Sequence, residues 1–178
     1  ADRRPVRGGI AVAEHLQGAG PAELARHWSL ASGEDARMHA AELAIVAGDM
    51  AVAGLAHEQA IGHYRMALEL GAAGLDVQRR MGEAQLQAGH IGAGRDVLRV
   101  VARKAKEAKA GEVLARAVLA MGGGVGGFEV DVLDLEQGRL LKDALLLLLD
   151  QDSAHRAASL ARLSIASAVI ASPDERAS

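Results

Sequence analysis

Apolar and small residues recur at three- and four-residue intervals through most of the chain, the spacing of helices with one buried face. The segment after Ser32 carries Ala40, Leu43, Ala44 and Ala47 on one side, and Leu133, Leu140, Leu141, Ala144 and Leu148 share an arc of about 100° on a helical wheel. Local signals divide this pattern into elements. Gly20, Pro21 and Glu23 predict a helix to about Leu30, with Pro pre-set for the first position and Glu near the positive end of the dipole. Ser32 and Asp35 stand at capping-box spacing and predict the next start. Further helices are expected over about 57–70, 77–88, 93–109, 112–121, 133–149 and 153–171, the last capped by Ser153 or Asp152, with a short one over about 10–17 before them. Breaks fall at Gly71–Gly74, Gly89 and Gly122–Gly127, and prolines stand at 5, 21 and 173, so none interrupts the chain between 21 and 173. The expected fold is all-α, with short connections.

Small residues give the helices a second periodicity. Gly48 and Ala60 are twelve apart, Gly82 and Gly94 are also twelve apart, and the second pair follows the first by 34 residues. The same offset pairs Ala47 with Met81, Tyr64 with Leu98 and Ala67 with Val101. Thirty-four residues is the tetratricopeptide period, in which small residues let two helices cross closely. Repeats over about 41–74 and 75–108 follow, the alternative being a coincidence in a chain rich in Gly and Ala. The predicted architecture is a tetratricopeptide-like right-handed superhelix of antiparallel helix pairs, with residues 1–34 leading in and 35–178 forming the array.

Composition supports thin helical layers. Half of the 178 residues are hydrophobic, yet the chain holds one Trp, one Tyr and one Phe against 38 Ala, 23 Leu and 21 Gly, and no Asn or Thr. Ala and Leu favour helices, and the lack of Thr and of aromatics argues against a β-sandwich or barrel. The absence of Cys excludes a disulfide framework, a thiolate metal site and a Cys nucleophile. A net charge of −3 gives no electrostatic case for nucleic-acid contact. The longest apolar run, Ala144 to Leu149, is far shorter than the roughly 20 residues of a membrane helix, and no leader pattern opens the chain, so a cytoplasmic location is expected. Ser172, Pro173 and Glu175 signal a further helix start at the end, which reads as a fragment of a longer protein.

Several strings taken together resemble a known family. They are Glu23 to Trp28, Ala47 to Asp49, Ala56 to Leu68, Met81 to Ala84 with Ala88 and Gly89, Leu114 to Ala117, the Gly-rich Met121 to Phe128, and Asp152 to Ser164. In this order they resemble the helical arm of large actinobacterial ATP-dependent regulators of the LuxR/MalT type, which carry a nucleotide module first, a tetratricopeptide array in the middle and a helix-turn-helix last. The resemblance covers most of the chain from about residue 10. It implies an arm that receives a ligand or partner and holds the nucleotide module on or off. Gly62 and Gly94 depart from the family pattern, and each costs a helix interior about 1 kcal/mol. A stand-alone adaptor that binds a peptide or protein is the alternative.

Catalytic chemistry finds little footing. Gly122, Gly124 and Gly127 match the letters of a dinucleotide fingerprint but follow a helix rather than a strand, and no P-loop pattern is present. His57 and His63 fall on different faces of a helix, and His15, His27, His39, His90 and His155 stand singly, so no metal or cofactor is expected in this fragment. His27, beside Trp28, is expected to pack against a neighbouring helix. Arg99, Arg103, Lys104, Lys106 and Lys109 read as a solvated basic face, and none of the eight Ser residues lies in a Gly-x-Ser-x-Gly turn. The chain is therefore expected to bind rather than to catalyse.

Tetratricopeptide spacing points Glu42, Ile45, Asp49 and Ala53 of the first repeat and Asp76, Arg79, Glu83 and Gln87 of the second toward a binding surface. The mix is mildly acidic with one Arg and suits a peptide or a basic segment, the alternative being that these residues are merely solvated. Leu146 and Leu149 fall on the wet side of their helix, near Arg139 and Lys142, and form a candidate association patch. The expected partner is a protein or peptide, including the rest of its own chain or, through this patch, a second copy.

Overall fold

The structure, a computed structural model, describes residues 18–122, 135–149 and 153–170. These residues form eight helices and no strand: α1 (Pro21–Ser29), α2 (Glu34–Ala53), α3 (His57–Glu69), α4 (Leu75–Gln87), α5 (Ile91–Glu107), α6 (Gly111–Met121), α7 (Leu135–Leu147) and α8 (Ala154–Ile170). The all-α expectation holds, and element ends lie within about two residues of those predicted. The helix expected over 10–17, most of the Gly122–Gly127 loop and Leu133 lie outside the described residues. The chain divides into two compact units, Ala1–Ala84 and Gln85–Ser178.

In the first unit α2 packs against both α1 and α3. Gly20, extended at φ −72° and ψ 161°, leads into Pro21 at the first position of α1, as predicted. The start of α2 differs from expectation. Its N-cap is Gly33, at φ 117°, and no side-chain hydrogen bond caps the helix, so the Ser32–Asp35 capping box does not form. A residue in that conformation turns the chain one position later than Ser32, and Glu34 and Asp35 then meet the positive end of the dipole from inside the first turn. The buried face of α2 is Ala36, Ala40, Ala41, Ala44, Ala47 and Gly48, a strip without a large side chain that allows close approach on both flanks. Against it α3 buries Ala60, Ile61, Tyr64 and Ala67. The Tyr64 ring lies over Gly48: a Cβ added there would stand 2.5 Å from the ring. The close crossing at Gly48 is thus filled by an aromatic ring.

Four helices end in the same way. At Leu55, Gly71, Gly89 and Lys109 the backbone turns left-handed, with φ of 58°, 101°, 87° and 54°. In each case the next residue's N–H returns five residues, Ala56 to Ala51, Ala72 to Ala67, His90 to Gln85 and Ala110 to Ala105, at 2.8–2.9 Å. These are Schellman turns, which satisfy carbonyls a helix end would otherwise leave open. Lys109, expected in the basic face of a helix, is one of these turn residues. The ends of α2 and α4, the starts of α3 and α5, and the turn residues Leu55 and Gly89 are each 34 residues apart. Gly48, Ala60, Gly82 and Gly94 are all buried, as are Tyr64, Leu98, Ala67 and Val101; of the paired positions Met81 alone is partly exposed. The period then slips, because α5 has 17 residues where α3 has 13, and Lys109 follows Gly71 by 38.

In the second unit α6 packs against α5, α7 and α8, and α7 against α8. Leu98, Leu114, Val118, Leu141 and Leu148 fill its core among buried alanines. Leu140, Leu141, Ala144 and Leu148 form the buried stripe of α7 that their spacing predicts. Gly111 opens α6 against the end of α7, where an added Cβ would stand 2.9 Å from the Leu147 Cβ. At the other end of α6, Arg162 Nη2 donates to the Gly122 carbonyl at 2.8 Å and Gln137 Nε2 to the Val118 carbonyl at 3.0 Å. A cation at a helix C-terminus meets the negative end of the dipole. Ser153 Oγ accepts the Arg156 N–H at 3.2 Å and caps α8.

Candidate interaction face of α2 and α4

The first unit brings together most of the residues singled out on α2 and α4, in two neighbouring sets. One is an ionic network. Arg79 is only 2% exposed and donates from Nε and Nη2 to Asp76 Oδ1, at 3.0 and 2.8 Å, and from Nη1 to Glu83. Arg80 donates from Nε to Asp76 Oδ2 at 2.8 Å, and its Nη1 spans to α2, reaching Asp49 Oδ1 at 2.7 Å. The Tyr64 hydroxyl donates to the same Asp49 oxygen at 2.8 Å. One carboxylate of α2 thereby ties α3 to α4.

The electrostatics follow from these contacts. Burial by itself would raise the Asp76 carboxyl, but hydrogen bonds and charge from Arg79 and Arg80 more than offset it and hold the group below the usual carboxylate range. Burial would lower Arg79, and its two carboxylate partners outweigh that and raise it. Arg80 is raised chiefly by its hydrogen bonds to Asp49. The Tyr64 phenol is pushed well above its ordinary value, first by burial and then by its hydrogen bond to Asp49 and that carboxylate's charge. Neutral phenol, ionised Asp76 and charged arginines are thus the forms the fold holds at neutral pH.

The second set lines a cleft of about 490 Å³ beside the network. Glu34, Arg37, Met38, Glu42 and Ile45 of α2 face the 70–74 connection and Val77. Most of its lining is apolar, with two acids and one Arg among the lining residues. Glu42 and Ile45 therefore belong to the cleft, while Asp49, Asp76, Arg79 and Glu83 belong to the network. Gln87 is exposed at the last position of α4 and Ala53 at the last position of α2. Arg80 and Tyr64 join the face without having been singled out. Arg80 was within reach of sequence reasoning, since Asp76 and Arg80 stand at i, i+4 on one helix.

Other candidates fall elsewhere. Leu146 and Leu149 are 65% and 58% exposed in the second unit. His27 is exposed and does not make the contact expected of it; the neighbouring Trp28 meets His39 of α2 edge-on, with ring centroids 5.0 Å apart. The reason is rotational, since α1 turns Trp28 rather than His27 toward α2. His155 Nδ1 lies 2.6 Å from Glu112. Within the basic face, Lys106 pairs with Asp143 at 2.8 Å and Arg99 with Asp96 at 3.2 Å. Among the described residues no group of His, Asp and Glu could hold a metal ion, and no helix is long and apolar enough to cross a membrane.

Compared with models of protein families, with curated proteins and with solved structures, the chain matches none.

Proposed function

We propose that this chain is a protein-interaction arm, a tetratricopeptide-like superhelix of antiparallel helix pairs whose α2–α4 face receives a peptide. The observation that carries the reading is the cleft, lined by Met38, Ala41, Ile45 and Val77 together with Glu34, Glu42 and Arg37. A site of that chemistry fits an apolar side chain flanked by a basic one, the first against the apolar lining and the second at Glu34 or Glu42, which outnumber Arg37. The 34-residue agreement of helix ends and buried small residues supports the repeat architecture. The adjoining network gives the face rigidity, because Asp49 and Arg80 fix α2 against α4. No constellation of nucleophile, base and orienting acid accompanies the cleft among the described residues, so the reading is binding and not turnover.

On the resemblance described above, the arm belongs to an ATP-dependent transcriptional regulator of the LuxR/MalT type in the cytoplasm, with nucleotide and DNA contacts made by other modules. A P-loop upstream and a helix-turn-helix downstream in the full reading frame support that assignment; their absence leaves the stand-alone adaptor. Binding itself is tested by thermal shift against short peptides carrying Leu or Met beside Lys or Arg, and against their Glu-substituted counterparts. Basic peptides should raise the melting temperature, acidic ones should not, and Ile45→Arg should abolish the effect while helicity is kept. Equal response to both sets, or none at millimolar peptide, overturns the reading.

A further inference from the structure

The exposed face of α7 has an order. Arg139, Lys142 and Leu146 succeed one another at intervals of three and four residues within an arc of about 60°, and Leu149 follows two residues past the helix end, all four exposed. That is heptad spacing, the seam a helix offers to a partner helix. The seam is basic in its first half and apolar in its second. A partner therefore needs acids followed by apolar residues along a helix of similar length.

Two copies of this seam do not suit each other. A parallel pair would set Arg139 against Arg139 and Lys142 against Lys142, and an antiparallel pair would lay both cations over the leucines. The long helix α2 suits it better. Its outward stripe runs Asp35, His39, Glu42, Val46 and Met50, with His39 3.8 Å from Glu42 and with Val46 46% and Met50 59% exposed. In parallel register Lys142 meets Glu42, Leu146 meets Val46 and Leu149 lies beside Met50, while Arg139 falls opposite His39, one turn from Asp35.

We infer that the chain self-associates head to tail, the α7 seam of one copy seating on the outer stripe of α2 of the next. The contact is heterologous, so each copy keeps one free seam and one free stripe and association continues beyond two copies unless a ring closes. It shares Glu42 with the cleft, so a seated seam and a bound peptide would compete there, but Leu146 and Leu149 take no part in that site.

Sedimentation of the full chain tests this. Wild-type mass should climb with concentration and fall with added salt, as the Lys142–Glu42 pairing is screened. Leu146→Glu with Leu149→Glu, and separately Val46→Glu with Met50→Glu, should each give monomers with unchanged helicity. Mixed one to one, these two variants should form a heterodimer and stop there, because the mixture holds one intact seam and one intact stripe. Lys142→Glu should weaken association about tenfold, and Glu42→Lys in the same chain should restore it. A wild-type monomer at all concentrations, a mixture that stays monomeric, or association surviving either double variant overturns the inference. Peptide response at the cleft retained in the Leu146→Glu, Leu149→Glu variant separates failure here from failure of the binding site.

Discussion

At the scale of single residues, glycines show how position decides the sign of one chemical change. Gly48 and Gly62 both lie inside helices, α2 and α3. At Gly48 a new Cβ would enter the Tyr64 ring, whereas at Gly62 it would meet nothing within 4 Å. Gly48→Ala should therefore cost about 2 kcal/mol through overpacking. Gly62→Ala should add about 1 kcal/mol through helix propensity alone. Urea unfolding of the two variants measures both, and equal signs would remove the Tyr64 contact as the reason for Gly48. The small residue was legible in the 34-residue spacing; its partner was not. Spacing marks where two helices cross closely, but the ring reaches Gly48 from one turn beyond Ala60. Asp49 and Arg80 are likewise 31 residues apart. No local pattern pairs them, because their meeting depends on tertiary placement and not on spacing within one helix. The network within α4 is different: Asp76, Arg79, Arg80 and Glu83 stand at i+3 and i+4 spacings, so its charges can be paired from sequence.

Among elements, the repeated device is the helix end. Gly71 and Gly89 announce their turns, because glycine enters the left-handed region without a Cβ clash. Leu55 and Lys109 make the same turn with side chains that disfavour it. Their conformation is held by paired hydrogen bonds, from Leu55 to Val52 and Ala56 to Ala51, and from Lys109 to Lys106 and Ala110 to Ala105. That is why residue type carries α5 two residues too far, to Lys109, where the structure ends it at Glu107. A similar override moved the start of α2, where the backbone freedom of Gly33 prevailed over the side chains of Ser32 and Asp35. The strain gives a prediction. Lys109→Gly should stabilise the chain by about 1 kcal/mol, and Gly89→Ala should destabilise it by a similar amount. The second change meets no atom within 4 Å, so its cost would be conformational and not steric. Thermal unfolding of the pair checks this; if Lys109→Gly lowers the melting temperature, its side chain contributes more than its backbone costs.

Taken whole, the molecule has two cores of different kinds. The second unit buries Leu98, Leu114, Leu141 and Leu148, while the first buries mainly alanines and relies on Tyr64 and the ionic network around Asp49 and Asp76. Apolar burial is insensitive to pH, but the network is not, and the second unit's ion pairs, Lys106–Asp143 and His155–Glu112, are more exposed than Arg79, so the pH limits of stability should be set by the first unit. On the acid side Asp76 has its folded pKa lowered from 3.8. Its contribution is complete above the unfolded value and is lost as pH falls through the folded one, because the unfolded chain then binds the proton first. On the alkaline side Tyr64 has its folded pKa raised from 10.0. Its contribution is complete below that value and is lost as pH rises, because the unfolded phenol ionises first. Melting temperature should therefore be flat from about pH 5 to 9 and fall at both ends. Asp76→Asn should lower the plateau, by roughly 1 kcal/mol since Asp76 is partly exposed and Arg79 keeps Glu83, and flatten the acid limb. Tyr64→Phe should lower the plateau less and flatten the alkaline limb. Amide exchange, corrected for intrinsic rates, should show protection lost first in α2 and α4 at either extreme, with α6 and α7 protected longer. Acid loss that begins in α6 and α7 would move the sensitive charges to the second unit and remove the network from its role.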